Sequence, residues 1–188
     1  MTAPQHRVIV ERTWESELLG SREDFILSTG EDGHRLSGTT LILHEGTRAQ
    51  IDWIVALRPD WSTRSASIDI PVLATSFEVE VTDPGRWTIN GNYRPDLEGC
   101  IDIDLGWTPS TNTLPIRRLA LAPGTPRTIL IAWLQWPELL FVPAEQIYTM
   151  HSDGRWTYAS GDFSAGLLVD EQGVVIDYGD PPIWRAVR

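Results

Sequence analysis

The sequence predicts an all-β, mainly antiparallel fold, and two observations lead to this class. Short stretches in which apolar and polar residues alternate recur at intervals of about 8 to 12 residues, as in strands with one buried face. Turn-forming pairs separate them, among them Asp32-Gly33, Asn90-Gly91 and Asp153-Gly154. Such a series of short strands fits a roll, a barrel or a sandwich. Because no linker, low-complexity tract or repeat interrupts it, residues 1–188 are predicted to form a single domain.

The first half of the chain contains a regular series of predicted strands. They span residues 25–29, 36–44, 50–57, 62–70, 75–81 and 87–89. Residues 14–19 are compatible with either a strand or a frayed helical turn. Asp83-Pro84-Gly85 predicts a turn, because proline presets φ and glycine accepts a positive φ.

The second half continues the pattern after a turn at Pro123-Gly124. Its predicted strands span residues 128–136, 139–142, 147–150, 156–159, 167–169 and 174–178. Pro137 and Pro143 are expected to end or separate strands, because proline cannot donate a hydrogen bond to a neighbouring strand. The last two strands are expected to form a hairpin around residues 171–173.

The stretch from residue 99 to residue 122 begins as a strand with two different faces. One face is apolar and consists of Ile101, Ile103 and Leu105. The other face has a thiol and two carboxylates, from Cys100, Asp102 and Asp104. At a rise of about 3.3 Å per residue, the Cα atoms of Asp102 and Asp104 are about 6.6 Å apart. Cys100 is the one cysteine of the chain, so no internal disulfide can form and we expect a small buried side chain there.

A short helix is predicted to follow this strand. Asn112 or Thr113 can cap it, and Pro115 lies in its first turn, where the missing N–H costs nothing. Arg117 and Arg118 give the helix two cations close to the acidic strand face. The pair of elements is therefore either a salt-bridged structural corner or the polar end of a binding site.

Motifs for catalysis and metal binding are weak. The separation of Asp102 and Asp104 is near the range of paired carboxylates in inverting glycosidases. Residues 99–105 are also similar to the acidic strand motif of chitinase-like enzymes, but Gly106 occupies the position of its catalytic glutamate. The four histidines lack metal-ligand spacing, and the chain has neither a nucleophile elbow nor a phosphate loop. We therefore predict no catalytic residue, no metal and no cofactor.

The charge and composition limit the partners and the location. A net charge of −11 and a pI near 4.7 argue against nucleic acid, because phosphate binding depends on lysine and arginine. An anionic membrane surface would repel such a chain. No apolar run approaches the roughly 20 residues of a membrane-spanning helix, and the N-terminus lacks the features of a signal peptide. We expect a cytoplasmic protein.

Several segments resemble one bacterial family. They are residues 99–105 (Gly-Cys-Ile-Asp-Ile-Asp-Leu), 108–109, 111–119, 60–64, 145–149, 158–160 and 169–178. With them, most of the chain after residue 50 resembles the putative glycolipid-binding proteins. The resemblance implies a curled antiparallel sheet, a spiral β-roll or half-barrel with one short helix. That fold is similar to the periplasmic carriers of lipoproteins, which hold acyl chains in a half-open barrel.

Aromatic and cationic side chains supply further candidates. The nine tryptophans offer large rings for a core or for the wall of a cavity. Trp133 and Trp136 cannot share a strand face because their spacing is odd, so one of them is free to face solvent, a cavity or a partner. Arg64 is a candidate inward cation, paired with Asp102 or Asp104 or held for an anionic head group.

These observations together predict non-catalytic binding of an amphiphile, such as a glycolipid or a fatty-acyl compound. Burial of apolar surface would hold the tail, and polar side chains would frame the head. The expected ligand-binding residues are Arg64, Asp102, Asp104, Asn112, Arg117, Arg118, Trp61 and Trp107. The alternatives are a hydrolase that uses Asp102 and Asp104 on a small polar or sugar substrate, and a structural or protein-interaction domain.

Overall fold

The computed structural model describes residues 6–82, 85–180 and 182–188. Its strands are β1 (Arg7–Ser16), β2 (Ser21–Gly30), β3 (Gly33–His44), β4 (Thr47–Leu57), β5 (Thr63–Ile70), β6 (Thr75–Thr82), β7 (Arg86–Ile89), β8 (Asn92–Tyr93), β9 (Asp102–Leu105), β10 (Arg127–Leu134), β11 (Phe141–Met150), β12 (Trp156–Ser160), β13 (Phe163–Val169), β14 (Val175–Gly179) and β15 (Pro182–Ala186). The helix α1 spans Thr113–Leu119. Short 3₁₀ turns span Pro71–Leu73, Pro95–Leu97 and Ser110–Asn112. The predicted all-β class with one short helix is confirmed.

All the strands of the described residues belong to one sheet. From edge to edge, the order runs from β8 down to β1 and then from β15 down to β9. Neighbouring strands are antiparallel except β9 and β10, which are parallel. The first and last strands pair in the middle of the sheet, where Trp14 lies opposite Ala186. The sheet thus consists of two meanders joined through the terminal strands, and it stays open, with β8 and β9 at its edges.

The sheet curls until its edge strand β9 reaches the beginning of β5, far from it in the strand order. The Thr63 amide donates a hydrogen bond to the Ile101 carbonyl (3.1 Å), and the Ile103 amide donates to Thr63 Oγ1 (2.9 Å). On the loop after β9, Thr111 Oγ1 accepts a hydrogen bond from the Leu105 amide (3.4 Å). Threonine hydroxyls therefore satisfy amides that an edge strand would otherwise leave unpaired.

The curled sheet encloses a large apolar core. Its biggest fully buried side chains include Trp14, Trp53, Trp87 and Trp107. The indole N–H of Trp14 donates to the Val175 carbonyl (2.8 Å), so this polar group is satisfied in the core. Cys100 is fully buried, as expected for a free thiol in a structural position.

Two parts of the sheet differ from the prediction. Strand β15 and the first part of β1 carry too little alternation to be predicted, and each is stabilised by its neighbours in the middle of the sheet. Strand β11 runs continuously through Pro143, which was expected to separate two strands. The proline is tolerated because pairing with β12 begins only at Ile147, so β11 has a single neighbour at Pro143.

The turn predicted at Asp83-Pro84-Gly85 has its first two residues outside the described part of the chain; Gly85 has the expected positive φ of 83°. Helix α1 follows a 3₁₀ turn and lacks the predicted side-chain cap at Asn112. The side chain of Asn112 instead donates through Nδ2 to the Pro109 carbonyl (2.9 Å) and accepts through Oδ1 from Tyr148 Oη (2.8 Å). A tertiary contact with Tyr148 has thus taken the side-chain oxygen that a cap would use.

Candidate functional site

A cleft of about 540 Å³ lies between the loop after β9 and the inner face of β10 and β12–β15. We call it the aromatic cleft, and its lining residues are Leu19, Asp104, Leu105, Gly106, Thr108, Pro109, Asn112, Trp133, Tyr158, Ser160, Gly161, Phe163, Tyr178, Ile183 and Trp184. Its volume falls within the range of about 300–1,000 Å³ that is typical of small-molecule sites. It contains two of the predicted site residues, Asp104 and Asn112.

Five aromatic side chains form the walls of the cleft. One comes from β10 and the others from the neighbouring strands β12 to β15; they are Trp133, Tyr158, Phe163, Tyr178 and Trp184. The rings of Phe163 and Tyr178 are stacked, with centroids 6.3 Å apart, and Tyr158 lies 6.0 Å from Phe163. Packed against one another in this way, these three rings keep their positions and present an apolar surface to the cleft.

The floor of the cleft is polar. Asp104 Oδ1 accepts a hydrogen bond from Thr111 (2.8 Å), and Oδ2 accepts one from Gln146 (2.6 Å). Gln146 also donates to the Tyr158 hydroxyl (3.1 Å), so the floor and a wall are connected. Burial raises the pKa of Asp104, and the two hydrogen bonds oppose this shift. The carboxylate is held by neutral donors alone and keeps lone pairs for a molecule in the cleft.

Gly106 makes room for one of the walls. A Cβ atom at this position would lie 2.8 Å from Trp133 Nε1 and 3.0 Å from the Leu134 carbonyl oxygen. The indole of Trp133 therefore occupies the space where the chitinase-like motif would place a glutamate. Trp136, by contrast, packs edge-on against Trp107 and His44. Of the two tryptophans, one was expected to be free to face solvent, a cavity or a partner, and Trp133 faces the cleft. Trp136 lies beyond the end of β10, so the two residues do not occupy opposite faces of one strand.

Asp102 lies two residues from Asp104 but is sealed away from the cleft. Its side chain is fully buried and forms a two-pronged ion pair with Arg118, through Nε (3.0 Å) and Nη2 (2.6 Å). Burial raises the pKa of Asp102 and the guanidinium opposes the shift. This pair is the salt-bridged corner that the sequence offered as one alternative, with Arg118 as its cation.

Three other predicted residues lie away from the cleft lining, and two of them, Arg117 and Trp61, are in contact with each other. The guanidinium of Arg117 lies 5.0 Å from the centre of the Trp61 ring, and that ring stacks on His34 at 3.9 Å. Arg64 does not pair with Asp102 or Asp104; its guanidinium bonds to Asp32 Oδ2 (3.3 Å). The expected inward cation is therefore held at the turn between β2 and β3.

The predicted site residues thus occupy five places. Asp104 and Asn112 line the cleft, Asp102 and Arg118 form the sealed pair, Arg117 lies over Trp61, Arg64 pairs with Asp32, and Trp107 is buried in the core. Sequence reasoning missed most of the aromatic walls and Gln146. The resemblance segments 158–160 and 169–178 contain Tyr158 and Tyr178, and they were the available signal.

Two other concave surfaces contain fewer of the predicted site residues. A groove of about 620 Å³ crosses the outer face of β1–β5 and contains none of the predicted site residues. A shallow surface of about 640 Å³ beside α1 includes Arg118, whose guanidinium is already paired with Asp102. The aromatic cleft is smaller than either, but it combines a carboxylate, an amide and five aromatic rings.

The described residues also bear on metals and membranes. Within residues 6–82, 85–180 and 182–188, no group of three or more His, Cys, Asp or Glu side chains is arranged to hold a metal ion. None of the helices in this part of the chain has the length and apolarity needed to cross a membrane.

Comparison with known proteins identifies the family. A solved structure of a DUF1089 family protein from Pseudomonas aeruginosa is similar to this chain, with a TM-score of 0.75 and 32% sequence identity. The match covers 84% of this chain and 88% of the other. No curated protein matches the sequence. The model of the family described as "Putative glycolipid-binding" matches residues 11–185, and the chain therefore belongs to this family.

Proposed function

We propose that this protein binds the sugar-bearing head of a glycolipid in the aromatic cleft and does so without catalysis. The observation that carries the proposal is a carboxylate and an amide at the floor of a cleft with five aromatic rings in its walls. A sugar has hydroxyl groups, which need hydrogen-bond acceptors, and C–H faces, which pack well on aromatic rings. The family description, Putative glycolipid-binding, supports the same class of ligand.

The position of the tail follows from the mouth of the cleft. Leu19 and Phe163 line the cleft and are also exposed, so they lie where the cleft opens to solvent. Ile183 adds a further aliphatic lining residue. A ligand with its sugar on Asp104 would therefore direct its acyl chain across this apolar mouth, where burial of CH₂ groups stabilises the complex.

The environment of the carboxylates supports binding over hydrolysis. Glycosidases use two carboxyl groups that both reach the scissile bond. Among the described residues that line the cleft, Asp104 is the single carboxylate, and Asp102 is sealed by Arg118. A bound glycoside would meet one carboxylate among the described lining residues of the cleft and no partner carboxyl group to act with it.

Binding can be tested with octyl β-D-glucoside, kept below its critical micelle concentration, as the probe. Because Trp133 and Trp184 line the cleft, we expect a saturable change in tryptophan fluorescence. Free glucose and octanol are separate arms that divide the contributions of head and tail. Native mass spectrometry of the purified protein, followed by organic extraction, would identify any lipid that copurifies. The absence of both a saturable change and a copurifying lipid would contradict the proposal.

Two variants and a matched control locate the site. We expect Asp104→Asn and Phe163→Ala each to raise the Kd for octyl glucoside about tenfold, through loss of a charged acceptor and of an aromatic wall. Tyr93→Ala is the control, because Tyr93 is a partly exposed aromatic residue on the edge strand β8, outside the cleft lining. An equal loss of affinity in the control would place the probe elsewhere.

A further inference from the structure

Exposed apolar side chains gather at one end of the sheet, around the mouth of the cleft. They are Leu18 (75% exposed), Leu140 (58%), Leu43 (52%), Phe163 (43%) and Leu19 (39%). We call this set the apolar rim. Isolated exposed apolar residues are ordinary on protein surfaces, whereas a group of them beside a binding site marks an interaction surface.

The register of the strands brings these residues to the same end. Strands β1, β10 and β12 all finish at this end, because alternate strands of an antiparallel sheet run in the same direction. The connections that follow them carry Leu18 and Leu19, Leu140 and, at the start of β13, Phe163. Leu43 lies near the end of β3, and a Cβ atom at Gly20 in the first of these connections would be 3.8 Å from its Cβ. Residues in or beside four separate connections therefore share one end.

The loop that forms the cleft floor is at this end as well. Strand β9 runs parallel to β10, so Leu105 lies beside Leu134 and the loop beginning at Gly106 leaves the sheet where β10 ends. Leu19 and Phe163 belong to both the rim and the cleft lining. The rim is therefore continuous with the mouth of the cleft.

We propose that the apolar rim docks this protein on the surface of a zwitterionic lipid bilayer, with the mouth of the cleft turned toward the lipids. The inference rests on the proposed function, since a glycolipid presents its head at such a surface. Leucine and phenylalanine side chains in short connections can enter the boundary between head groups and acyl chains without disturbing the sheet. The rim would then place the cleft where a glycolipid head is within reach.

The charged side chains beside the apolar rim favour a zwitterionic over an anionic bilayer. The same connections carry four exposed carboxylates, Glu17, Glu45, Glu138 and Asp162. The cations nearby include Arg48, at the start of β4, Arg22, which is paired with Glu15 (2.7 Å), and Arg185, which is paired with Asp177 (3.5 Å). The carboxylates outnumber these cations, and the whole chain has a net charge of −11. Anionic lipids would therefore repel this end of the sheet and weaken docking.

Vesicle cosedimentation tests this inference with the full chain. We expect the wild-type protein to sediment with pure phosphatidylcholine vesicles and to bind at least threefold less to vesicles that contain 30% phosphatidylglycerol. Leu18→Asp and Leu140→Asp should each lower binding to phosphatidylcholine at least tenfold, because neither residue lines the cleft and each would place a charge in the bilayer. Val8→Asp is the control, since Val8 is exposed at the opposite end of the sheet.

The outcomes separate this inference from the proposed function. Leu18→Asp is expected to bind octyl glucoside with the Kd of the wild type while it no longer sediments with vesicles. Failure of the wild type to sediment with phosphatidylcholine would overturn the docking surface, as would an equal loss in Val8→Asp or tighter binding to the anionic vesicles. Loss of octyl glucoside binding in Leu18→Asp would also overturn it, because the turn would then belong to the ligand site. Failure of the wild type to bind octyl glucoside would refute the cleft proposal alone.

Discussion

Asp102 and Asp104 lie on the same face of one short strand, yet the structure gives them different neighbours. Asp102 is matched by a single cation, Arg118, in a buried ion pair. Asp104 is held by a hydroxyl and an amide, and one side of it faces the cleft. A buried charge with a charge partner is fixed and inaccessible, whereas a carboxylate held by neutral donors keeps acceptor capacity for another molecule. Asp102 is therefore a structural acid, and Asp104 is a carboxylate that can still accept hydrogen bonds in the cleft.

The largest expected effect comes from breaking the sealed pair. Asp102→Asn would leave the mostly buried Arg118 guanidinium without its counter-charge, and we expect the free energy of unfolding to fall by about 3 kcal/mol or more. Urea denaturation measures this loss. Asp96→Asn is the control, because its pair with Arg94 is partly exposed and should contribute less than about 1 kcal/mol. Similar losses in the two variants would show that the Asp102 pair adds nothing beyond a surface pair.

A third buried carboxylate extends the comparison to pH. Glu23 is fully buried, has no cation partner among the described residues, and accepts hydrogen bonds from Thr40 (2.6 Å) and Thr108 (2.6 Å). Burial raises the pKa of Glu23 from 4.5 to about 7. Because the folded state favours the protonated acid, its contribution to stability is complete below pH 4.5 and declines as the pH rises to about 7. This decline amounts to about 3 kcal/mol.

Replacement of Glu23 by glutamine isolates this titration. Glu23→Gln keeps a donor and an acceptor but cannot ionise, so the difference in unfolding free energy between variant and wild type should grow in favour of the variant between pH 5 and pH 8. Urea denaturation at several pH values measures it. A difference that is constant over this range would mean that Glu23 does not titrate there.

Filling the space behind Trp133 tests whether the cleft beside Asp104 is the binding site. In Gly106→Ala, the new methyl group would meet the indole and the Leu134 carbonyl, and we expect a loss of about 1–3 kcal/mol in stability together with weaker binding of octyl glucoside. Gly166→Ala in β13 is the matched control, because nothing lies within 4 Å of its Cβ position. If Gly106→Ala binds the probe as the wild type does, Trp133 is not a wall of the site.

The smallest expected change in stability belongs to Asp104. Asp104→Asn removes a charge whose burial is only partly offset by Thr111 and Gln146, so we expect its unfolding free energy to change by less than about 1 kcal/mol. Thermal or urea unfolding beside Asp102→Asn measures the contrast directly. A loss as large as that of Asp102→Asn would make Asp104 a structural acid as well, and the distinction between the two would fail.

The sequence predicted local features of the central stretch better than its contacts. Alternation placed the two aspartates on one face, and Pro115 with the residues around it marked the short helix. The partners of the aspartates were harder to predict. Arg117 and Arg118 are adjacent in sequence, but one stacks on Trp61 and the other pairs with Asp102, because successive helix residues point in different directions.

The amino-acid sequence by itself determined the class of fold, since period-2 alternation and turn residues act over a few neighbours and do not depend on distant parts of the chain. The tertiary structure alone decided which polar groups are sealed and which face a cavity. Asp104, Gln146 and Tyr158 are far apart in sequence and meet only because the meander of β9–β15 curls around them. Burial and hydrogen bonding over such separations are set by the packing of the whole sheet, and no local pattern encodes them.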